Sequence, residues 1–165
     1  MLYIIGHILH GRSYPNNFLE EISTIHNYID FNDFIIRKGA ISSYTGQKMV
    51  IPFNMRDGIL LCKGRSNLDW NCSAPHGAGR LMSRTQAKAN INLKDFKESM
   101  NGIYSTSVNK NTIDESPFAY KDSNVIEQAI APTAIILDKI KPILNIKSSE
   151  EETSWKERKA KKKIQ

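Results

Sequence analysis

Cysteine is nearly absent from this chain. Cys62 and Cys72 are the two in 165 residues, and they stand ten apart with no CxxC spacing and no paired histidine close in sequence. That pattern argues against a structural zinc site and lends a disulfide no support. Both thiols are expected to be buried small hydrophobes in a reduced setting. Long apolar runs are also missing. Nothing approaches the roughly 18–20 residues that span a bilayer, so no membrane partner is expected. The opening MLYIIGHILHG is apolar but has no basic stretch before it and no small-residue cleavage site. It does not read as a signal peptide, and the expected location is cytoplasmic. No internal repeat is present, which argues against a solenoid.

What is present is ordinary for a globular chain: 40% hydrophobic and 24% charged residues, in a length that suits one domain. Net charge is +6. The stretch after residue 147 holds six Lys/Arg against four Glu and so supplies +2, the body the remaining +4. This basic excess permits a polyanionic partner without requiring one. Residues 148–165 have no core-forming pattern and are expected to form a disordered, solvated tail.

Periodicity sets out the elements. Phe18, Ile22, Ile25 and Ile29 share one helical stripe, which predicts an amphipathic helix over 15–30 with His26 on its flank. Between Asp33 and Lys63, short β-branched runs alternate with turn signals at Gly39, Thr45-Gly46-Gln47 and Arg56-Asp57-Gly58. They predict three or four short strands in an antiparallel meander or barrel-like sheet. A helix is expected over 80–90, a second one capped by Asn92, a strand over 103–108, and a helix over 123–140 that Pro132 must kink or split. The fold class is therefore α+β, a mostly antiparallel sheet core flanked by helices.

The most informative stretch is Ala74-Pro75-His76-Gly77-Ala78-Gly79-Arg80-Leu81-Met82-Ser83-Arg84. Gly77 and Gly79 let backbone approach a ligand closely, and successive N–H groups there can form an anion nest. A helix opening just after would add partial positive charge. Arg80 and Arg84, four apart, would share one face and suit phosphate. A neutral imidazole beside a bound phosphate is a competent nucleophile at phosphorus. The same spacing also serves a plain loop-to-helix turn with a surface histidine.

The run PHGAGRLMSR resembles the signature of the RtcB family of RNA ligases. Other segments resemble further family blocks in the same order: Ile25-His26-Asn27-Tyr28, Arg37-Lys38-Gly39-Ala40, Ile51-Pro52-Phe53-Asn54-Met55-Arg56-Asp57-Gly58, Asp114-Glu115-Ser116-Pro117-Phe118-Ala119-Tyr120-Lys121-Asp122 and Lys141-Pro142-Ile143-Leu144-Asn145-Ile146-Lys147. Together they cover about residues 20–147 and suggest that 1–147 is the C-terminal, guanylate-binding part of such a ligase.

The resemblance implies an enzyme using GTP and manganese to join RNA ends, a 2′,3′-cyclic phosphate or 3′-phosphate to a 5′-hydroxyl, as in tRNA splicing or RNA repair. His76 would carry GMP covalently. His26 would bind metal and Asn27 nucleotide. Pro52, Phe53, Asn54 and Met55 would line the nucleotide, with Gly77, Ala78 and Gly79 as phosphate cradle. Lys147 would meet the guanine base, and Arg80 and Arg84 would contact phosphate or RNA. The family's N-terminal half supplies an Asp, a Cys and two further histidines as metal ligands, and no matching set stands before Pro15. Ile59 replaces a nucleotide-contacting serine, and Leu68 stands where an acidic residue is expected. The partners implied are RNA ends, a missing N-terminal half, or a second copy. The other reading is an inert remnant that binds only nucleotide, RNA or a partner. Asp114, Glu115 and Lys121 are expected to be structural.

Overall fold

Regular elements form where side-chain alternation and turn chemistry agree. The computed structural model describes residues 22–147. Along them run β1 (Asn27–Asp30), β2 (Ile35–Lys38), β3 (Ala40–Ser42), β4 (Lys48–Pro52), β5 (Ile59–Gly64), β6 (Ser73–Pro75), α1 (Arg84–Asn90), α2 (Leu93–Ser99), α3 (Ser123–Ala129) and β7 (Ala134–Ile140), with 3-10 turns at Leu68–Trp70, Lys110–Glu115 and Pro117–Ala119. Three antiparallel sheets result: β1 with β2, β3 with β6, and β4–β5–β7. The α+β class expected from the sequence is the class observed.

The three-stranded sheet carries the main core. Met49 and Ile51 of β4 lie opposite Cys62 and Leu60 of β5, and all four are buried. Ile41, Phe53, Ala74, Ala78, Ile126, Ile130 and Ala134 complete that cluster. A second cluster gathers Met55, Phe96, Met100 and Ile113 under α2. Cys62 and Cys72 are both buried and free, as expected.

The β1–β2 hairpin is built the other way round. Its inward positions hold an Asp30–Arg37 ion pair at 2.6 Å, with Arg37 2% exposed. Arg37 also donates to Tyr28, Tyr44 and Ser73. Hydrogen bonds from Tyr44 and Arg37 hold the Asp30 carboxyl below its ordinary value. Burial, with Asp33 and Asp30 as acceptors, pushes the Tyr44 phenol up to about 12. The outward positions hold Ile29 opposite Ile36.

Five expectations are corrected. The strands over 33–63 do not form one meander or barrel-like sheet: β2 pairs back to β1, β3 pairs with β6, and only β4 and β5 lie side by side. Of the helix over 15–30, residues 15–21 lie outside the described residues; 22–26 are irregular and 27–30 are β1. Its helical spacing loses to the β-branched run at Ile35–Ile36, which offers β1 a ladder, and Ile25 and Ile29 stay exposed. The helix over 80–90 starts only at Arg84. Ser83 caps it in a reciprocal box with Gln86, while Leu81 N–H is bound to Ala119. The helix over 123–140 stops at Ala129, and after Pro132 the chain becomes β7, which pairs with β5 and leaves Ile136, Leu137 and Ile140 partly exposed. The strand over 103–108 reduces to one bridge, Tyr104 to Leu144. The 148–165 tail lies outside the described residues.

Candidate active site

Four stretches distant in sequence close around one cavity of about 730 Å³, within the range of small-molecule sites. The β4–β5 turn contributes Pro52, Phe53, Asn54 and Met55, and the loop after β6 contributes His76, Gly77, Ala78, Gly79 and Arg80. Arg84, Glu115 and Tyr120 form another wall, and the segment after β7 supplies Asn145 and Lys147. Gly58 is required here. Its φ is +82°, and a Cβ would fall 2.0 Å from the Ile140 carbonyl oxygen, so the turn and the β7 end approach backbone to backbone.

His76 is held from behind. Its Nδ1 lies 2.6 Å from the Gly39 carbonyl oxygen. That oxygen can only accept, so Nδ1 carries a proton, and in the neutral ring the lone pair is on Nε2. Gly39 is fixed in turn, since its N–H donates to the His26 carbonyl and to Asn27 Oδ1. The His26 ring stacks on His76, centroids 4.8 Å apart. His26 and Asn27 thus stand beside His76 and are not among the cavity-lining residues.

The glycine loop is narrower than its motif suggests. Ala78 N–H is bound to the Pro52 carbonyl, and a Cβ on Gly77 would lie 3.0 Å from that oxygen. Gly79 has φ +71° and open space around it. Because α1 begins at Arg84, no helix N-terminus backs the loop directly, and Arg80 and Arg84 do not share a helical face. Both guanidiniums are engaged. Arg80 donates to the Asp114 carbonyl and the Tyr120 hydroxyl, and Arg84 pairs with Asp114 and Glu115.

Glu115 joins this wall to the C-terminal segment. Lys147 Nζ lies 3.3 Å from its carboxylate, and Tyr120 donates to it at 2.8 Å. Burial pushes Glu115 up, but Tyr120 and Lys147 outweigh it and hold the carboxyl below its usual value. Burial and the Glu115 acceptor push Tyr120 up to about 12.

On the facing wall, Asn54 is spent locally, accepting from Arg56 and Asp57 N–H and donating to the Asp57 carboxylate. Phe53 and Met55 are core residues whose edges reach the cavity, and Ile59 lines it too. Leu68 is exposed on its 3-10 turn and is not among the lining residues. Asn145 is different. Its Oδ1 is buried without a hydrogen-bond partner, in a cavity wall, and so is open to a donor.

Sequence reasoning missed Gly39 as the partner of His76 and Asn145 as an orphan acceptor. Neither has a compositional signal, since one role comes from the direction of a backbone carbonyl and the other from where the fold buries a side-chain oxygen. Among the described residues no group of three or more His, Cys, Asp or Glu is placed to hold a metal. His26 and its neighbour His76 do not by themselves fit a manganese site, which favours several oxygen donors.

The family model for the tRNA-splicing ligase RtcB matches residues 4–148. This chain belongs to the RtcB family. An RNA-splicing ligase RtcB from Escherichia coli K12 is 32% identical over 135 residues, covering 78% of this chain and 33% of the relative. A tRNA-splicing ligase RtcB from Aeropyrum pernix is 34% identical over 105 residues, covering 59% of this chain and 22% of the relative. The chain therefore spans about a third or less of the RtcB relatives it matches.

Proposed function

We propose that this chain forms the guanylate-accepting part of an RtcB-type RNA ligase, with His76 as the nucleophile. The observation that supports the reading is the Gly39 carbonyl at 2.6 Å from Nδ1, which in the neutral ring leaves the lone pair on Nε2 of a residue lining the cavity. The Nε2 lone pair forms a bond to the α-phosphorus of GTP while the bridging P–O bond breaks and pyrophosphate leaves with the electron pair. The proton stays on Nδ1 throughout, donated in a hydrogen bond to the Gly39 carbonyl. An oxygen of an RNA 3′-phosphate then bonds to that phosphorus and the P–N bond breaks, restoring neutral His76. The RNA 5′-hydroxyl oxygen attacks the activated 3′-phosphate, GMP departs, and the hydroxyl proton passes to solvent. Splitting one difficult substitution into such steps is the use of a covalent nucleophile.

Within this reading Gly77–Gly79 beside His76 take the phosphates and Asn145 takes the base, while Arg80, Arg84, Tyr120 and Lys147, which all meet on Glu115, form one shared wall. For the two arginines to bind phosphate they must exchange Asp114 and Glu115 for it. No step is assigned to manganese, because the described donors do not make up its site.

The test is incubation with α-labelled GTP, with and without manganese, followed by denaturing electrophoresis beside His76→Ala. An acid-labile label on the wild type and none on the variant supports the reading. No label on a folded chain, with or without the remainder of the ligase added, sinks it and favours a chain that binds without reacting.

A further inference from the structure

The β1–β2 hairpin hides charge and displays hydrocarbon. Its inner side holds Asp30 and Arg37 among tyrosines. Its outer side presents Ile29 (52% exposed), Ile36 (77%), and, at the tip, Phe31 (75%) and Phe34 (84%). Free in water, the opposite arrangement would be favoured. Phe34 also holds φ +56°, a left-handed conformation that bulky residues avoid and that Gly or Asn would adopt without strain. The strained backbone at Phe34 places an 84% exposed aromatic ring at the tip of the hairpin. The four side chains expose on the order of 500 Å², near the upper end for a monomer's largest apolar patch and more than half of one side of a standard protein interface.

We infer that this outer face is the docking surface for the remainder of an RtcB-type ligase: the polypeptide that the matched third leaves out, in the same chain or a separate one. The length argues for that occupant, because the E. coli relative carries two-thirds of its sequence beyond the matched segment. Position argues for it as well. The hairpin's other end is Asn27 opposite Lys38, next to Gly39 and so to His76. A partner seated on Ile29 and Ile36 would reach the catalytic histidine's support along the same ladder. The inference rests on family membership and not on whether His76 is guanylylated.

The test is co-expression of this chain with the unmatched two-thirds of the E. coli relative, followed by co-purification and sedimentation velocity. The expected result is a one-to-one complex. Ile29→Ser with Ile36→Ser should weaken it at least tenfold. Phe34→Gly should weaken it while leaving the isolated chain's thermal midpoint equal or higher, since it relieves the left-handed strain; this variant separates lost docking from lost folding. Absence of a complex, or a complex indifferent to all three substitutions, overturns the inference. So does a homodimer lost in the same variants, which would place a second copy on the face, or protection of the face by residues 1–21 in a monomer. Guanylylation is read separately by the label on His76.

Discussion

The Gly39 carbonyl oxygen lies 2.6 Å from Nδ1 of His76, and this contact decides which ring nitrogen is left for chemistry. Gly39 can make it because its backbone is left-handed, φ +67°, and a Cβ there would meet the imidazole at 3.4 and 3.5 Å. Gly39→Ala is expected to cost about 1–2 kcal/mol through the left-handed backbone. It should also slow labelling of His76 about tenfold by tilting the ring. Thermal unfolding and single-turnover labelling measure the two effects separately. A variant that labels at the wild-type rate would remove Gly39 from the mechanism.

Asn145 Oδ1 is buried with no partner, and a buried acceptor left unmade destabilises the empty protein. Asn145→Leu should therefore leave the thermal midpoint equal or slightly higher. Guanine nucleotide affinity should fall about five- to tenfold, roughly the worth of one hydrogen bond. Calorimetric titration of both proteins with GTP gives the answer. Equal affinities would show that the base does not use this oxygen.

Acid should unfold the chain through its paired carboxylates. The carboxyls of Asp30 and Glu115 sit below their ordinary values of 3.8 and 4.5, and Asp57 below 3.8 because Arg56 and Asn54 outweigh its burial. A carboxyl lowered on folding contributes stability that is complete above its unfolded value and is lost as pH falls toward the folded one. Urea unfolding should show a flat plateau above about pH 5 and a decline beginning near 4.5. In Asp30→Asn the whole curve should be lower and the decline shallower. An unchanged slope would mean Asp30 is not ionised in the folded chain.

The Cys62 thiol is pushed up to about 11 by burial. Little thiolate exists at neutral pH, and access is blocked. Cys62 should resist a thiol-specific chromophore in native buffer and react at once in denaturant, as a timed absorbance trace with Cys72→Ser would show. Rapid native reaction would place Cys62 outside the core.

The strands between residues 35 and 64 were legible because turn residues and β-branched runs punctuate that stretch at close intervals. The second helix was legible from Asn92, whose side chain accepts the Lys94 N–H as a cap should. β1 was not. Ile22, Ile25 and Ile29 obey a helical period, and only the partner strand across the Phe31–Phe34 turn reveals a hairpin. β7 was hidden by the helical look of the residues before Pro132. At the site, the glycines and His76 stood out as a motif. Gly39 and Asn145 did not, because a carbonyl's direction and a side-chain oxygen's lack of a partner are properties of the folded chain. The placement of Arg80 outside a helix followed from Ser83, a cap that the run of helix-forming residues obscured.

The cavity's last wall comes from the far end of the described chain. Tyr104 and Ile143, Asn145 and Tyr104, and Ser107 and Lys147 are tied by backbone and hydroxyl hydrogen bonds, and Lys147 faces a turn that begins at Pro52. Closing loops of that span costs more chain entropy than closing the local hairpins does. During synthesis the ribosome would hold back the wall until almost everything before it had already folded, so a nascent chain could have an ordered sheet and a poised histidine yet nothing to grip a nucleotide.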